Sequence, residues 1–380
     1  MDNPRIVVVE WACLEGHRPR PLGKNARLDG HGSIVRVPLL RLTTEDGLQG
    51  FGICRAGREL AMTLLGKRLS DVFALPSGVL PLWREFDYPL WDLVGMRSKL
   101  PVYTLVASLS ATQITSPFRV PCYDTSLYFD DLHLTTHEEA AQLLISEVRE
   151  GYERGHRAFK LKVGRGARHM PMEEGTQRDI TIIRAVRKAI GPNISLMIDA
   201  NCGYTLNLAK HVLRETAECA LFWLEEPFHE DDVLYRDLRV WLGEQHLSLL
   251  ISDGEGQADP RLLEWARQGL VDVIQYNYLD HGFTNWLITG RQLDEWGVRS
   301  APHHFGTHYG NYVTGHLAAA IRGFTFVEWD EATTPGLDTS SYQVSEGSVT
   351  IPEIPGFGLR LDEALYQHAV TQTGYRLQHS

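Results

Sequence analysis

Residues 158–164 read AFKLKVG. Lys160 and Lys162 are two apart, so in a strand they share one face, while Phe159, Leu161 and Val163 share the other. The apolar face can pack on helices, which turns the two lysines toward the inside of a closed sheet. Two lysines on an exposed edge would not need such apolar flanks. Working outward, one charged residue recurs near the end of each following strand-like run. Asp199 and Asn201 end LMIDAN (196–201), and Glu225 ends LFWLEEP (221–227). Asp253 and Glu255 end LLISDGE (249–255), His303 follows RSAP (299–302), and Glu328 lies in FTFVEWDE (324–331). Charges at successive strand ends converge when the strands form a ring. A parallel eight-stranded barrel does this, and its active site lies at that rim.

The spacing of apolar runs supports the ring. They begin near Val120, Ala158, Ile194, Leu221, Leu249, Val271, Val298 and Phe324. Helical patterns fit between them: Ile183, Val186 and Ile190 recur at three and four before Gly191-Pro192, and Arg261–Gln268 and Asn285–Glu295 read similarly. Strand–helix alternation predicts an α/β fold, a TIM-type (β/α) barrel over 119–350. Residues 1–118 predict a smaller α+β unit, with strands at Arg5–Trp11 and Ile34–Leu42, a turn at Glu45–Gly47 and a helix around Trp91–Val94. The Pro- and Gly-rich tail from Val344 is expected to run back across that unit, so 351–380 joins it.

The bulk composition sets limits. The chain has 380 residues, 43% hydrophobic, enough for a large core. A formal net charge of −11 argues against nucleic acid and anionic membranes as partners. An anionic substrate therefore needs a local group of cations. Five scattered cysteines without CxxC spacing, and a start without a secretion signal, predict free thiols and a cytoplasmic protein. No uncharged apolar run is long enough to span a bilayer.

Asp199, Glu225 and either Asp253 or Glu255 make three carboxylates without thiolate or clustered imidazole. All-oxygen ligation suits Mg²⁺; zinc would recruit histidine or cysteine. A desolvated lysine beside a second cation has its proton affinity lowered, as a general base needs. By strand alternation Glu226 points away from Glu225, which argues against a glycosidase pair flanking one bond. His303 stands out among His303, His304 and His308 because Pro302 ends the strand just before it. Glu328 can orient a substrate or a protonated partner. The polar, basic stretch Gly16–Gly32 looks like a mobile substrate flap whose His17, Arg18 and Lys24 can meet a substrate's distal groups.

Together these residues resemble the enolase superfamily, and within it the mandelate racemase and acid-sugar dehydratase subgroup. Pro89–Val106 is similar to the stretch that closes that family's capping domain. Lys160–Lys162 matches its second-strand KxK. IDAN, LEEP and the GE before Pro260 match its metal ligands, which selects Asp199, Glu225 and Glu255 over Asp253. PHH matches the seventh-strand histidine, His303, and VEWDE the eighth-strand glutamate, Glu328. Each motif alone is weak; their order and spacing are specific. One departure stands out: where the subgroup pairs an aspartate with the histidine, this chain has Asn277. Asp280 is either its substitute or the cap of the next helix.

The resemblance implies proton abstraction next to a carboxylate held on Mg²⁺. It implies Lys162 as base, Lys160 beside it on the carboxylate, and His303 as the acid that protonates a leaving β-hydroxyl. The substrate is then a small-molecule carboxylate, an acid sugar (aldonate or aldarate), dehydrated to a 2-keto-3-deoxy acid. Asn201, Asn277, Asp280 and Arg18 are the expected substrate-binding residues. The runner-up is a racemase or epimerase using Lys162 and His303 on opposite faces of one carbon. A non-catalytic ligand-binding relative is a third reading, motivated by Asn277. Such barrels commonly form homo-oligomers.

Overall fold

The computed structural model describes residues 3–110 and 113–379; Met1, Asp2, Ala111, Thr112 and Ser380, which fall within the expected segments 1–118 and 351–380, lie outside the described residues. The chain starts with an antiparallel sheet of β1 (Ile6–Leu22), β2 (Gly32–Thr44) and β3 (Gln49–Ile53). Helix α1 (Asp87–Ser98) packs on β3 and is buried from Asp87 to Gly95. The contact requires glycine: a Cβ at Gly50 would lie 2.4 Å from the Leu93 backbone. Helix α2 (Val102–Ser110) follows.

Eight parallel strands then form the barrel. They are β4 (Arg119–Leu127), β5 (Ala158–Lys162), β6 (Ser195–Asp199), β7 (Trp223–Glu225), β8 (Leu250–Asp253), β9 (Val273–Ile274), β10 (Arg299–Ser300) and β11 (Val327–Trp329). β11 closes the ring on β4 through Val327↔Cys122, Glu328↔Tyr123 and Trp329↔Asp124. The β10–β11 seam is held by backbone bonds at Ser300, whose N–H donates to Gly323 O at 3.0 Å and whose carbonyl accepts from Thr325 N at 2.8 Å. The register sets Lys162 beside Asp199, Asp199 beside Glu225, and Glu225 beside Ser252, which puts the charges on one level. Beneath them Tyr123, Met197, Trp223 and Val273 fill the interior, as barrel layers do.

The outer helices are α3 (His137–Glu153), α4 (Met172–Ile190), α5 (Leu206–Glu215), α6 (Asp232–Glu244), α7 (Leu262–Arg267) and α8 (Phe283–Trp296). α3 begins in a capping box: Thr136 Oγ1 accepts from Glu139 N, and Glu139 Oε2 accepts from Thr136 N. α4 buries Ile183 and Val186 and stops at Gly191, whose φ is +77°. In the tail, a hairpin of Gln343–Ser345 and Ser348–Thr350 pairs with β4. α9 (Glu363–Thr373) then packs on β1, and β12 (Tyr375–Gln378) adds to β1 antiparallel.

The stretch Gly16–Gly32 is mostly strand. β1 continues to Leu22 and pairs with β2 as far as Leu22↔Gly32, so the connecting loop is 23–31. The barrel holds this loop. Arg168 Nη1 donates to Arg27 O at 2.6 Å, His169 Nε2 bonds Asn25 O at 2.8 Å, and Lys24 bridges to Phe129.

Two buried ionic groups brace the barrel. Arg165, just after β5, is fully buried. It gives Nη2 to Asp131 at 2.6 Å, Nη1 to Asp179 at 2.8 Å, and Nη1 also to Lys162 O at 3.2 Å. His156, before β5, bonds Glu331 at 2.8 Å through Nε2 and lies 3.9 Å from Cys122 Sγ at Nδ1. Burial pulls the His156 pKa down, but Cys122, Glu331 and nearby Asp124 outweigh it and push it up to about 10. A histidine raised on folding contributes stability that is full below its unfolded value of 6.5 and is lost as pH rises toward 10. We therefore expect unfolding midpoints to fall between pH 6.5 and 10 more steeply in the wild type than in His156→Gln. Parallel denaturation curves for the two proteins over that range would remove this role.

Among the described residues no helix is long and apolar enough to cross a membrane, and all five cysteines are free thiols.

Candidate metal and proton-transfer site

β6 and β7 end on Asp199 and Glu225, and Glu255 follows β8 by two residues. One oxygen from each lies within 4.8 Å of the others. Gly254 makes this possible: its φ of +120°, a conformation other residues rarely adopt, turns the chain after Asp253. Asp253 and Glu255 are thereby separated. Asp253 accepts from the Tyr235 hydroxyl and from Gly254 N at 2.7 Å, away from the cluster, while Glu255 joins it.

Both lysines reach the carboxylates from β5. Lys160 Nζ donates to Glu225 Oε1 at 2.6 Å and lies 3.4 Å from Asp199 and from Glu328. Lys162 Nζ donates to Asp199 Oδ2. The expected lowering of lysine proton affinity is reversed here. Burial pulls both ammonium groups down, but Glu225 on Lys160 and Asp199 on Lys162 raise them above the usual lysine range. Asp199 shows the counterpart: burial raises it, the two lysines overcome that, and it falls to about 2. Glu225 is pushed well up by burial and by Asp199. Two ammonium groups thus leave the cluster short of positive charge. Its donors are all oxygen, and Asn201 Oδ1 is buried beside it without a hydrogen-bond partner. These residues fit a hard divalent cation such as Mg²⁺.

On the opposite side, His303 Nε2 approaches Glu255 Oε2 at 3.0 Å. Its Nδ1 lies 3.2 Å from Asn277 Nδ2. The amide has a defined orientation, because Asn277 Oδ1 already accepts from Leu279 N at 3.0 Å and Asp280 N at 3.3 Å. Nδ2 is therefore the atom facing the imidazole, so Nδ1 accepts and Nε2 carries the hydrogen.

Glu328 accepts from Thr125 Oγ1 at 2.7 Å, His304 N at 2.7 Å and Phe305 N at 3.2 Å, which fixes the turn carrying His303. Burial alone would raise Glu328, but Lys160, His303 and His304 hold it well below the usual carboxylate range. It is an ionised acceptor.

Other expected residues lie elsewhere. Asp280 does not replace the missing aspartate; it is exposed, within the short helix capped by Asn277, and pairs with Arg55 at 3.1 Å. Arg18 is not free for a substrate: it is buried, donating to Asp330 from Nε at 2.9 Å and Nη2 at 2.7 Å. It lies on β1, where alternation turns its side chain inward and leaves His17 exposed. Lys24 is 4.0 Å from Asp29. Glu226 is not turned away either. Its φ of +39° breaks the strand alternation, and its buried carboxyl accepts from Asn201 Nδ2 at 3.0 Å. The same Nδ2 donates to Glu255 at 3.2 Å.

Several contacts have no motif. Gln275 Nε2 and Trp223 Nε1 each donate to Glu225 Oε2 at 3.0 Å. Gln275 follows a strand end, the one signal that marks it. A cavity of about 460 Å³ opens at the other end of the barrel, around Ser195, Phe222 and Leu250, far along the strands from these groups. Convergent chemistry, not cavity size, locates the site.

The family described as enolase C-terminal domain-like matches residues 143–365. A galacturonate dehydratase from Geobacillus sp., solved with D-galacturonate and 5-keto-4-deoxy-D-galacturonate, is 45% identical with a TM-score of 0.93 over 98% of each chain. A mandelate racemase/muconate lactonizing protein from Geobacillus sp., solved with magnesium and tartrate, is 44% identical with a TM-score of 0.96, covering 99% of this chain and 97% of that one. An arabinonate dehydratase from Saccharolobus solfataricus is 25% identical over 292 residues, 74% of this chain and 70% of that protein. The family match spans more than half of the residues, and the chain belongs to the enolase superfamily, in its enolase C-terminal domain-like family.

Proposed function

We propose that the protein is a Mg²⁺-dependent acid-sugar dehydratase. Asp199, Glu225 and Glu255 would hold the cation. What a divalent cation supplies there is positive charge, which relieves the hold of Asp199 on Lys162 and favours negative charge developing on the substrate carboxylate. Lys160 binds that carboxylate. Lys162 removes the proton from the adjacent carbon, and His303 protonates the β-hydroxyl, which leaves as water. The C–H and C–O bonds break, a carbon–carbon double bond forms, and the resulting enol takes up a proton at the β-carbon and gives up its hydroxyl proton to become a 2-keto-3-deoxy acid. The free thiols suit a reducing cytoplasm.

The observation that carries this reading is the convergence at one rim of three carboxylates with Lys162 on one side and His303 on the other. The Asn277 amide leaves the His303 hydrogen on Nε2, the nitrogen beside the cluster, where it can hydrogen-bond a departing hydroxyl. Elimination needs a proton delivered there, and a two-base racemase delivers one there in one direction and takes one in the other, so loss of water is what tells them apart. An acid-sugar panel with Mg²⁺ is expected to yield 2-keto acid. In Asn277→Asp the carboxylate would accept from Nδ1 and favour the imidazolium, so the pH at which dehydration falls on the alkaline side should move upward. Deuterium exchange at the α-carbon without loss of water in the wild type would favour the racemase. No turnover of any acid sugar by folded, Mg²⁺-loaded protein would favour the non-catalytic relative.

A further inference from the structure

The rim beside Lys162 is walled by rings. Lys162 Nζ lies 5.3 Å from the Tyr128 ring centroid. His31, from the loop joining β1 to β2, packs on Tyr128 at 4.6 Å and on Phe305 at 5.2 Å between centroids. The Phe305 N–H is fixed on Glu328, so His31 stands over the proton-transfer groups. Its Nδ1 bonds Gly23 O at 2.9 Å. A carbonyl only accepts, so Nδ1 carries the hydrogen and Nε2 is a lone pair, without a hydrogen bond among the described residues. Burial lowers the His31 pKa, opposed by the Gly23 bond.

The buried cations around it have acidic partners, and the exposed ones lie near acidic groups. Arg18 is on Asp330, Arg20 on Asp130, Arg27 on Glu226 at 3.6 Å and Lys24 on Asp29. A second carboxylate arriving at His31 would meet a lone pair, with the buried Arg18 held by Asp330 and Arg20 by Asp130, and desolvating it against an acceptor is costly. A hydroxyl would find an acceptor. We infer that His31 selects acid sugars with a single carboxylate, by accepting a hydrogen bond from a hydroxyl at the end remote from the cation site, and that aldarates are disfavoured.

This rests on the acid-sugar reading, and its test separates the two. D-Galactonate and galactarate differ only in whether the far carbon is an alcohol or a carboxylate. Both are titrated calorimetrically into Mg²⁺-loaded Lys162→Ala protein, where neither is consumed. Galactonate should bind at least about 10-fold more tightly. Adding His31→Phe, which keeps the stacking but removes the acceptor, should erase most of that preference by weakening galactonate. Adding His31→Arg should reverse it. Equal or tighter binding of galactarate, failure of both acids to bind, or an unchanged preference in His31→Phe would overturn the inference. A preference for galactonate without any keto acid from protein carrying Lys162 would end the dehydration reading and leave this one standing.

Discussion

Replacing Lys162 with alanine is expected to lower acid-sugar turnover by about 10³-fold, within the range for loss of a general base. The geometry makes it a specific test. Lys162 Nζ meets Asp199 directly, but Lys160 also lies 3.4 Å from Asp199 and 2.6 Å from Glu225, so the carboxylates keep a cationic partner. The substitution removes the base while the ligand cluster persists. Mg²⁺ affinity should stay within a few-fold of wild type, and exchange of the α-proton with deuterated solvent should disappear along with product. Turnover within tenfold of wild type would take Lys162 out of the mechanism. Loss of Mg²⁺ binding would assign it to the metal site instead.

Arg165→Ala is expected to cost about 3–5 kcal/mol of stability, because it leaves buried carboxylates without their cation. Arg165, Asp131 and Asp179 are all fully buried. The guanidinium touches both acids and the Lys162 carbonyl, tying β5 to α4 and to the segment after β4. Burial pushes Asp131 up, but Arg165 and Arg178 bring it below its ordinary value; Asp179 stays raised by burial despite its Arg165 contact. By contrast, Arg55→Ala removes an ion pair whose side chains are 57% and 67% exposed. That change should cost less than about 1 kcal/mol. Urea denaturation of the two variants checks the contrast, and similar midpoints would show that the buried triad does not carry the load.

The barrel and its rim were legible because strand periodicity is local. Lys160, Lys162, Asp199 and Glu225 lie within or at the ends of apolar runs, and the eight runs begin within about three residues of the observed strands. What could not be read depends on breaks in that period or on distant partners. Glu226 returns to the rim because its backbone turns left-handed. Asp253 is drawn off by Tyr235, which comes from a neighbouring helix. Arg18 looked available because Asp330 is 312 residues away. Asn277 showed only as a departure from an aspartate; which atom it turns to His303 depends on the end of the amide that the next helix turn occupies. His31 had no motif at all, and only the folded loop shows the ring it sits on.

The pairing of β12 with β1 has a consequence for synthesis. Val8 pairs with Gln378 and Trp11 with Tyr375. At about 5–20 residues per second, a ribosome needs roughly 20–70 s to travel from the first of these segments to its mate. Throughout that interval the nascent chain carries an unpaired sheet border, a template for wrong strand addition. Chaperone dependence should therefore track translation speed through the barrel codons, although the barrel itself contributes nothing to that border.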